Sequence, residues 1–342
     1  MAQRQITNTK PRSLPEQSRR LAAVFSSEDQ VLITVVADPD SLASALAMKR
    51  FLWRKVAGVT ITRINEISRP DNLAMVRLLK IPLKPYPEVD PTKFTKKVLV
   101  DGQPHHHAIF EALKYDVIID HHPLGERSRE AAFVDIRPKY GANSTIMTEY
   151  LKGAKIVPSA RLATALIYGI RTDTSTFGRP VLQEDVNAFQ YLFPKINQNT
   201  LRKIEFSEMR LGDLALLKQA LGCYRMRGHS MFAHLGPVKS PDNLVQIADF
   251  FLKVDLVDSC AISGVYQDKL VVIIRNTSMQ LSAGRMASRA FGELGSAGGH
   301  KATARAEIPL AELKKLLSEE DMSRLADFVV RRLQRAKAHK KK

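Results

Sequence analysis

The chain has 342 residues, which exceeds the length that a single hydrophobic core usually supports, so we expect at least two domains. Hydrophobic residues make up 44% of it and charged residues 25%, which is ordinary for a water-soluble globular protein. No apolar run reaches the roughly 18 residues of a membrane span, the first residues lack the apolar core of a signal peptide, and two cysteines are too few for a disulfide framework or a thiolate zinc site. These features favour a protein of the reducing cytoplasm.

Basic residues outnumber acidic ones by 52 to 35, which gives a formal net charge of +17. The excess is concentrated at both ends of the chain, in an arm over residues 1–28 and in residues 331–342. The second of these segments contains no acidic residue. Blocks of like charge tend to be disordered and attract polyanions without reading their sequence. We therefore predict two basic tails that either contact RNA non-specifically or keep the protein in solution. No aromatic interleaving of the RNA-recognition type supports sequence-specific binding.

Short apolar runs in the first half of the chain lead into aspartates. The runs cover residues 31–36, 98–100, 117–119 and 166–170, and the aspartates that follow are Asp38 and Asp40, Asp101, Asp120 and Asp173. One aspartate after a strand is usually a cap or a turn residue. Several in one alternating pattern favour a parallel sheet whose strand ends deliver carboxylates to one place.

Helical patterns separate these runs. Residues 42–56 predict a helix, Asp71 is expected to cap a helix that runs to residue 80, and residues 143–151 and 159–170 also have helical spacing. The last pattern overlaps the apolar run at 166–170, which leaves both a helix and a strand open before Asp173. Residues 184–224 predict a helical connector.

A smaller α/β domain is predicted after the connector. Residues 244–252 have helical spacing, and residues 259–266 and 270–275 form a strand pair joined by a polar turn. Arg275 ends the second strand, where its guanidinium suits a phosphate or simply closes the strand at the surface. The stretch 295–304 is rich in small residues, so it either cradles an anion with bare amide groups or serves as a flexible linker.

Asp120-His121-His122 combines carboxylate and imidazole, the ligands that suit Mn²⁺, Fe²⁺ or Zn²⁺. Alone, the triplet is as compatible with a strand cap in a surface loop. Two metal ions that clamp a phosphoester need one bridging carboxylate and several terminal ligands. Such a set is available in Asp38, Asp40, Asp101, His121 and Asp173. The residues therefore predict a metal-assisted hydrolase.

In order and spacing these segments resemble the four motifs of the DHH phosphoesterases, a family that includes RecJ-like exonucleases, nano-RNA and phosphoadenosine-phosphate phosphatases, and manganese pyrophosphatases. The matching segments are residues 38–47, 101–104, 120–122 and 169–174. The resemblance implies that Asp38 binds one metal ion and Asp40 the other, that Asp101 bridges them, and that His121 and Asp173 complete the second ion's shell. It also implies catalytic roles for His122, which would face the substrate phosphate, and for Asp120, which would orient an imidazole.

The resemblance further implies two Mn²⁺ ions and hydrolysis of phosphodiesters or phosphomonoesters in short oligonucleotides or nucleotides by a metal-bound hydroxide. Residues 295–304 resemble the glycine-rich motif of the DHH-associated domain, with Ser296 and Ala297 in place of glycines. Its implied substrate-binding residues are Arg275, Gly298, Gly299 and His300. A homodimer, and closure between the domains, are compatible with this layout. The expected domains are a basic arm (1–28), a DHH metal domain (29–185), the connector (186–226), the DHH-associated domain (227–310) and a C-terminal helix with a basic tail (311–342).

One position departs from the family pattern. The first motif normally begins with a metal-binding histidine four residues before Asp38, and this chain has Thr34 there. A hydroxyl is a poor replacement for imidazole on these metals, so the first metal site is expected to be weak unless the nearby histidines 105–107 fill it. Thr34, together with Ser296 and Ala297, keeps open a nucleotide- or RNA-binding protein on a catalytically impaired scaffold. A pyrophosphate or polyphosphate hydrolase is a further alternative, because it would use the same metal chemistry.

Overall fold

The computed structural model describes residues 13–125, 128, 130–207, 211–278, 280–317 and 324–338. Two compact units divide the chain, residues 1–207 and residues 208–342. The first contains a parallel sheet and the second a mixed sheet, so the predicted α/β fold class, with a parallel sheet in the first domain, is confirmed. Among the described helices, none combines the length and the apolar character that crossing a bilayer would need.

The sheet of the first unit has six parallel strands in the order β3-β2-β1-β4-β5-β6. The strands are β1 (Gln30–Val35), β2 (Gly58–Arg63), β3 (Leu83–Pro85), β4 (Lys96–Val100), β5 (Val117–Asp120) and β6 (Phe133–Ile136). The chain proceeds in one direction from β1 and in the other from β4. Loops that leave β1 and β4 therefore part and open a crevice at the carboxyl edge, which is where open α/β sheets bind ligands.

Helices cover the sheet of the first unit. They are α1 (Leu14–Ala22), α2 (Pro39–Phe51), α3 (Pro70–Leu78), α4 (Ala108–Glu111), α5 (Asn143–Gly153), α6 (Ala160–Asp173), α7 (Gln183–Leu192) and α8 (Gln198–Glu205). The strand alternative for residues 166–170 is wrong, because Ser159 caps a continuous helix that ends only at Asp173. The predicted capping role of Asp71 is also wrong: Arg69 is the N-cap of α3, and Asp71 accepts hydrogen bonds from Arg69 and from the Tyr168 hydroxyl.

Part of the expected basic arm is a packed helix. The hydroxyl of Ser18 on α1 donates to the Tyr150 carbonyl on α5 at 3.0 Å, and Leu21 is fully buried. A Cβ at Gly153 would lie 2.3 Å from the Leu14 carbonyl oxygen, so a glycine at this position lets the two helices approach. Apolar burial thus overrides the like charges of this segment, while residues 1–12 lie outside the described part of the chain.

The second unit is built on a mixed sheet in the order β11-β12-β10-β9-β8-β7, in which only β8 and β9 pair parallel among the described strands. The strands are β7 (Arg225–Arg227), β8 (Ser230–Pro237), β9 (Ser259–Tyr266), β10 (Lys269–Asn276), β11 (Ser296–Gly299) and β12 (Thr303–Pro309). Its helices are α9 (Asp213–Cys223), α10 (Pro241–Phe251), α11 (Ala283–Phe291), α12 (Leu310–Leu316) and α13 (Leu325–Ala338). The predicted helix and strand pair correspond to α10, β9 and β10.

Each face of this second sheet has its own apolar core. Val271 and Ile273 of β10 pack with α9 and α10, whereas Val272 and Ile274 pack with α11 and α13. Two predictions need correction. The glycine-rich stretch is partly strand β11 rather than a flexible linker, and residues 331–338 of the expected disordered tail are helical because α13 buries apolar side chains such as Leu333. The last four residues are outside the described part.

Candidate metal centre

The crevice between β1 and β4 collects the predicted metal ligands of the first unit. Asp38 and Asp40 follow β1, Asp101 follows β4, and His121 follows β5. Asp173, at the end of α6, approaches the same cluster, with its Oδ2 atom 3.1 Å from Nε2 of His121. The fold therefore brings five residues that are far apart in the sequence to one edge of the sheet.

His121 lies at the centre of this cluster. Its Nε2 atom is 3.4 Å from Oδ1 of Asp101 and 4.0 Å from Oδ2 of Asp40, in addition to the contact with Asp173. On the other side of the ring, Nδ1 lies 3.1 Å from the Tyr140 carbonyl oxygen. A carbonyl can only accept, so Nδ1 carries a proton, and Nε2 points at the three carboxylates. Nε2 becomes a metal ligand when a cation replaces the proton that these carboxylates favour on it.

Asp40 is held by the start of α5. Its side chain is fully buried, and its two oxygens accept from the backbone N–H groups of Asn143 at 2.6 Å and Ser144 at 2.7 Å. Helix N-termini carry unpaired N–H donors and a partial positive charge, so this position stabilises a carboxylate. A glycine at position 169 of α6 lies alongside, where a Cβ would be 3.0 Å from Oδ1 of Asp40.

Asp101 is the most strained member of the cluster. Its φ of +57° lies in the left-handed region, which aspartate tolerates better than most residues. The turn directs its carboxylate into the crevice, where Oδ1 is buried and makes no hydrogen bond. Nε2 of His121 is likewise buried without a hydrogen-bonding partner of suitable geometry.

The electrostatics of the cluster favour bound protons or a cation. Burial, together with repulsion from Asp173, raises the pKa of Asp40 to about 7. Burial and the charges of Asp40 and Asp38 raise the pKa of Asp101 well above its usual range. Burial opposes the charged form of His121, but the carboxylates of Asp101 and Asp173 outweigh it and raise its pKa to about 12. The clustered carboxylates thus hold positive charge strongly at this point.

These residues fit a divalent metal ion. One oxygen of Asp40, one of Asp173 and one nitrogen of His121 lie within 4.8 Å of one another, and Asp101, His121 and His122 form a second such group. The two buried atoms without hydrogen bonds, Oδ1 of Asp101 and Nε2 of His121, are both ligand atoms of the kind that Mn²⁺ or Mg²⁺ accepts. A cation would supply the interaction that these atoms lack.

Asp120 holds His122 rather than facing the cluster. Its Oδ1 atom accepts from Nδ1 of His122 at 2.8 Å, and its Oδ2 atom accepts from Nε2 of Gln103 at 2.6 Å. Burial opposes the charged form of Asp120, but the hydrogen bonds from His122 and Gln103 outweigh it and lower its pKa. The His122 ring is 45% exposed and stands beside the cluster, with Nδ1 4.0 Å from Oδ1 of Asp101.

The sequence interpretation missed several supporting residues. Gln103 is fully buried and joins Asp120 to the Gly125 amide and the Ser128 hydroxyl. It follows Asp101 within the second motif, so its position between two ligand segments is a signal that could have identified it. The donors of Asn143 and Ser144 are backbone N–H groups, whose role cannot be predicted from the residue type.

The position of the expected first-motif histidine is closed. The Thr34 hydroxyl lies 3.0 Å from the Tyr115 hydroxyl and is fully buried in the core on one face of the sheet. Asp38 is partly occupied as well, because its Oδ1 accepts from the Ser41 backbone N–H at 2.9 Å as the N-cap of α2. The first metal site therefore has Asp38 and Asp101 but no imidazole at residue 34.

The three histidines after Asp101 have different surroundings. His105 packs against Gly125, and Nδ1 of His107 accepts from the Ile109 amide as the N-cap of α4. His106 faces His122, with ring centroids 5.1 Å apart, and groups with Asp120 and His122 as metal-ligating atoms. Of the triplet, His106 is the one that approaches the centre.

The predicted substrate-binding residues lie in the second unit. Nε of Arg275 donates to Oδ1 of Asp249 at 2.7 Å, which fixes the guanidinium beside α10. Gly298 and Gly299 belong to β11, and the exposed His300 follows them. The His300 carbonyl accepts from the Gly284 amide at the start of α11, so this turn is tied to that helix.

Comparison with known proteins agrees with the site. Residues 30–170 match the model of the DHH family, N-terminal domain. The chain therefore contains a DHH family domain. The resemblance inferred from the four motifs is confirmed, and the DHH domain includes every predicted metal ligand except Asp173, which lies three residues beyond the matched range.

An uncharacterized protein of Methanocaldococcus jannaschii is 32% identical over 302 residues, which are 88% of this chain and 62% of that protein. The chain thus spans less than two thirds of that curated relative's length. An exopolyphosphatase-related protein from Bacteroides fragilis has a TM-score of 0.70 at 14% identity, covering 94% of this chain and 98% of its own. RecJ in complex with Mn²⁺ from Thermus thermophilus has a TM-score of 0.54 at 14% identity. The match covers 98% of this chain and 56% of the RecJ chain. At such low identities the two structures establish a shared fold.

Gly169→Ala is expected to weaken Mn²⁺ binding about tenfold or more, because the added Cβ would lie 2.4 Å from the Ser144 hydroxyl and would push on Asp40. Titration followed by the electron paramagnetic resonance of free Mn²⁺ measures this. Gly153→Ala is the matched control, because it crowds α1 at the other end of α5 and costs about 1–3 kcal/mol of stability away from the cluster. Equal Mn²⁺ affinity in the two variants would contradict the role of Gly169.

Mn²⁺ is expected to stabilise the protein more as the pH rises from about 5.5 to 8, because the ion must displace the proton that Asp40 holds up to a pKa of about 7. A carboxyl whose pKa is raised by folding stabilises the metal-free fold below its unfolded pKa of 3.8, and this contribution is lost as the pH rises through 7. Calorimetric Tm values with and without Mn²⁺ should therefore diverge across this range.

A pH-independent difference would refute the displacement of a proton. In Asp40→Asn without metal, the part of the pH slope that belongs to this carboxyl should disappear.

Proposed function

We propose that this protein is a metal-dependent phosphoesterase that hydrolyses short oligonucleotides or nucleotides. The observation that carries the proposal is the convergence of the Asp40, Asp101 and Asp173 carboxylates on Nε2 of His121. A DHH domain is present, and members of this family hydrolyse phosphoester bonds. The cluster supplies the ligand chemistry that such hydrolysis requires.

One ion would be held by Asp40, Asp101, His121 and Asp173, and a weaker one by Asp38 and Asp101. We propose Mn²⁺, since mixed carboxylate and imidazole ligands suit it and the RecJ structure named above contains it. When bound, such ions act as Lewis acids and lower the pKa of water.

The remaining residues of the crevice would bind and orient the phosphate. Asp120, itself held by Gln103, fixes the ring of His122 through Nδ1. In the imidazolium form Nε2 would then donate to a phosphate oxygen without the entropy cost of ordering the ring. We assign the catalytic roles to Asp120 and His122 on this ground. Electrostatic attraction from the +17 chain would raise the local concentration of any nucleic acid.

Arg275, Gly298, Gly299 and His300 are our candidates for recognising the nucleotide. Asp249 orients the Arg275 guanidinium through Nε, which leaves its terminal amino groups to meet a phosphate. A site that recognises a nucleotide favours oligoribonuclease or nucleotide phosphatase activity over pyrophosphate hydrolysis, because pyrophosphate has no nucleoside to recognise.

The closed position of Thr34 supports a second candidate, a nucleotide- or RNA-binding protein with impaired chemistry. With Tyr115 hydrogen-bonded to Thr34, this position supplies no imidazole to a first ion. In that case the centre would bind metal and nucleotide with little turnover. The two candidates differ in turnover rather than in binding.

Turnover is expected with Mn²⁺ on at least one of a short RNA, phosphoadenosine phosphate and a linear dinucleotide, and faster than on pyrophosphate. Asp173→Asn should lower kcat/KM about 100-fold or more, because it removes a charged ligand beside His121. Purified protein assayed by chromatography of the products measures both.

Asp90→Asn is the matched control, because Asp90 is exposed and its carboxylate accepts hydrogen bonds from Thr92 rather than from a residue of the cluster. Bound nucleotide without metal-dependent turnover would favour the second candidate. Activity that survives both Asp173→Asn and the double change Asp120→Ala and His121→Ala would belong to a contaminant.

Mn²⁺ titration should resolve one tight ion per chain and one that binds at least about tenfold more weakly, because the first site lacks an imidazole. Asp38→Asn should abolish the weak ion alone, since asparagine keeps the N-cap of α2 while losing the charge. Asp173→Asn should abolish the tight one.

His106→Gln tests rescue by the histidine triplet, with His105→Gln as its control. Loss of the weak ion in His106→Gln alone would show that an imidazole from the triplet replaces the missing ligand. Two ions of equal affinity that neither histidine change affects would contradict a weakened first site.

A further inference from the structure

A cavity of about 570 Å³ lies in the second unit, between its sheet and two of its helices. The strands β8, β9 and β10 form its floor, and Met286 of α11 and Leu333 of α13 form its walls. Its volume is within the range of pockets that bind small molecules. None of Arg275, Gly298, Gly299 and His300 lines it, so it is separate from the nucleotide recognition proposed above.

The strand register divides the cavity floor into a polar end and an apolar part. Ser230 of β8 pairs with Ser259 of β9 at the strand ends, and their hydroxyls are 2.8 Å apart. Two residues further along β8 and β9, Phe232 pairs with Ala261, which in turn faces Ile274 of β10. Because residues two apart share a face of a strand, the hydroxyls and the apolar side chains border the same cavity.

Two cations lie at the polar end. Nζ of Lys337 donates to the Ser230 hydroxyl at 3.0 Å, and Arg227 pairs with Ser230 in the β7–β8 ladder. The described lining residues include no aspartate or glutamate. Within the described part of the chain, neither cation has a carboxylate partner; Arg227 contacts only a backbone carbonyl, that of Met226.

Arg275 lies on the other face of the same sheet. Its neighbour Ile274 borders the cavity with α11 and α13, whereas Arg275 reaches Asp249 on α10. Alternate residues of a strand point to opposite faces, so the cavity and Arg275 are divided by the sheet itself.

We propose that this cavity binds a small organic anion with an apolar body. The anionic head would lie at Lys337, Arg227 and the two serine hydroxyls, where donors and uncompensated positive charge coincide. The body would cover Phe232, Ala261 and Ile274, away from water. A phosphate attached to an aromatic base and a carboxylate attached to an aliphatic chain share this chemistry.

The experiment uses the full chain in EDTA, so that the metal centre contributes no metal-dependent binding. Calorimetric titration with adenosine monophosphate, decanoate and inorganic phosphate compares an anion with an aromatic body, an anion with an aliphatic body and an anionic head without a body. We expect one of the two amphiphilic anions to bind with a Kd below about 1 mM, and inorganic phosphate to bind at least about tenfold more weakly. Hydrogen exchange should show protection by that anion in β8, β9 and α13.

Lys337→Met and Arg227→Met should each weaken binding about tenfold, since each removes a charged donor from an exposed position without disturbing the core. Lys314→Met, on an exposed turn of α12 outside the cavity lining, is the matched control and should leave the Kd unchanged. The proposal is overturned if neither amphiphilic anion binds better than phosphate, if the Lys337 and Arg227 changes have no effect, or if the protected amides lie outside the cavity.

Discussion

Three carboxylates converge on one imidazole nitrogen, and they cannot stay this close together without a positive charge between them. Asp40, Asp101 and Asp173 all approach Nε2 of His121, whose other ring nitrogen, Nδ1, donates to the Tyr140 carbonyl. Burying like charges at such distances is costly, and the raised pKa values of Asp40 and Asp101 express that cost as protons retained. A divalent cation removes it more completely than protons do. The rest of the first unit holds these side chains in place.

The positions of these side chains depend on the sheet order and on one helix end. The reversal between β1 and β4 separates the segments that carry Asp40 and Asp101, so the crevice exists before any ligand is present. The start of α5 then supplies two N–H donors to Asp40, which lowers the cost of its burial. Gly169 lets α6 approach this pair closely enough to bring Asp173 to His121.

The sequence predicted the ligand residues better than it predicted their supports. Asp38, Asp40, Asp101 and His121 follow apolar runs, and a run that ends in an acid is visible in the sequence. The short edge strands β3 and β6 were not visible in the sequence, because three or four residues carry too little periodicity. Pro85 also argues against a strand at β3 unless that strand lies at the edge of a sheet. The helix through residues 166–170 and the packed α1 depended on tertiary burial, which composition does not show. Thr34 was noticed as a missing ligand, but its partner Tyr115 lies 81 positions away, so only the fold could show that the position is closed.

The two ends of α5 face different parts of the first unit. Its first amides bind Asp40, and its last turn receives α1 through Tyr150 and Gly153. Since 11 residues of helix extend about 16 Å, α5 is a rod that joins the centre to the segment that leads back to the basic amino terminus. The helix therefore serves two contacts about 16 Å apart, one with Asp40 and one with α1. Crowding at its last turn disturbs the docking of α1 and leaves in place the amides that bind Asp40.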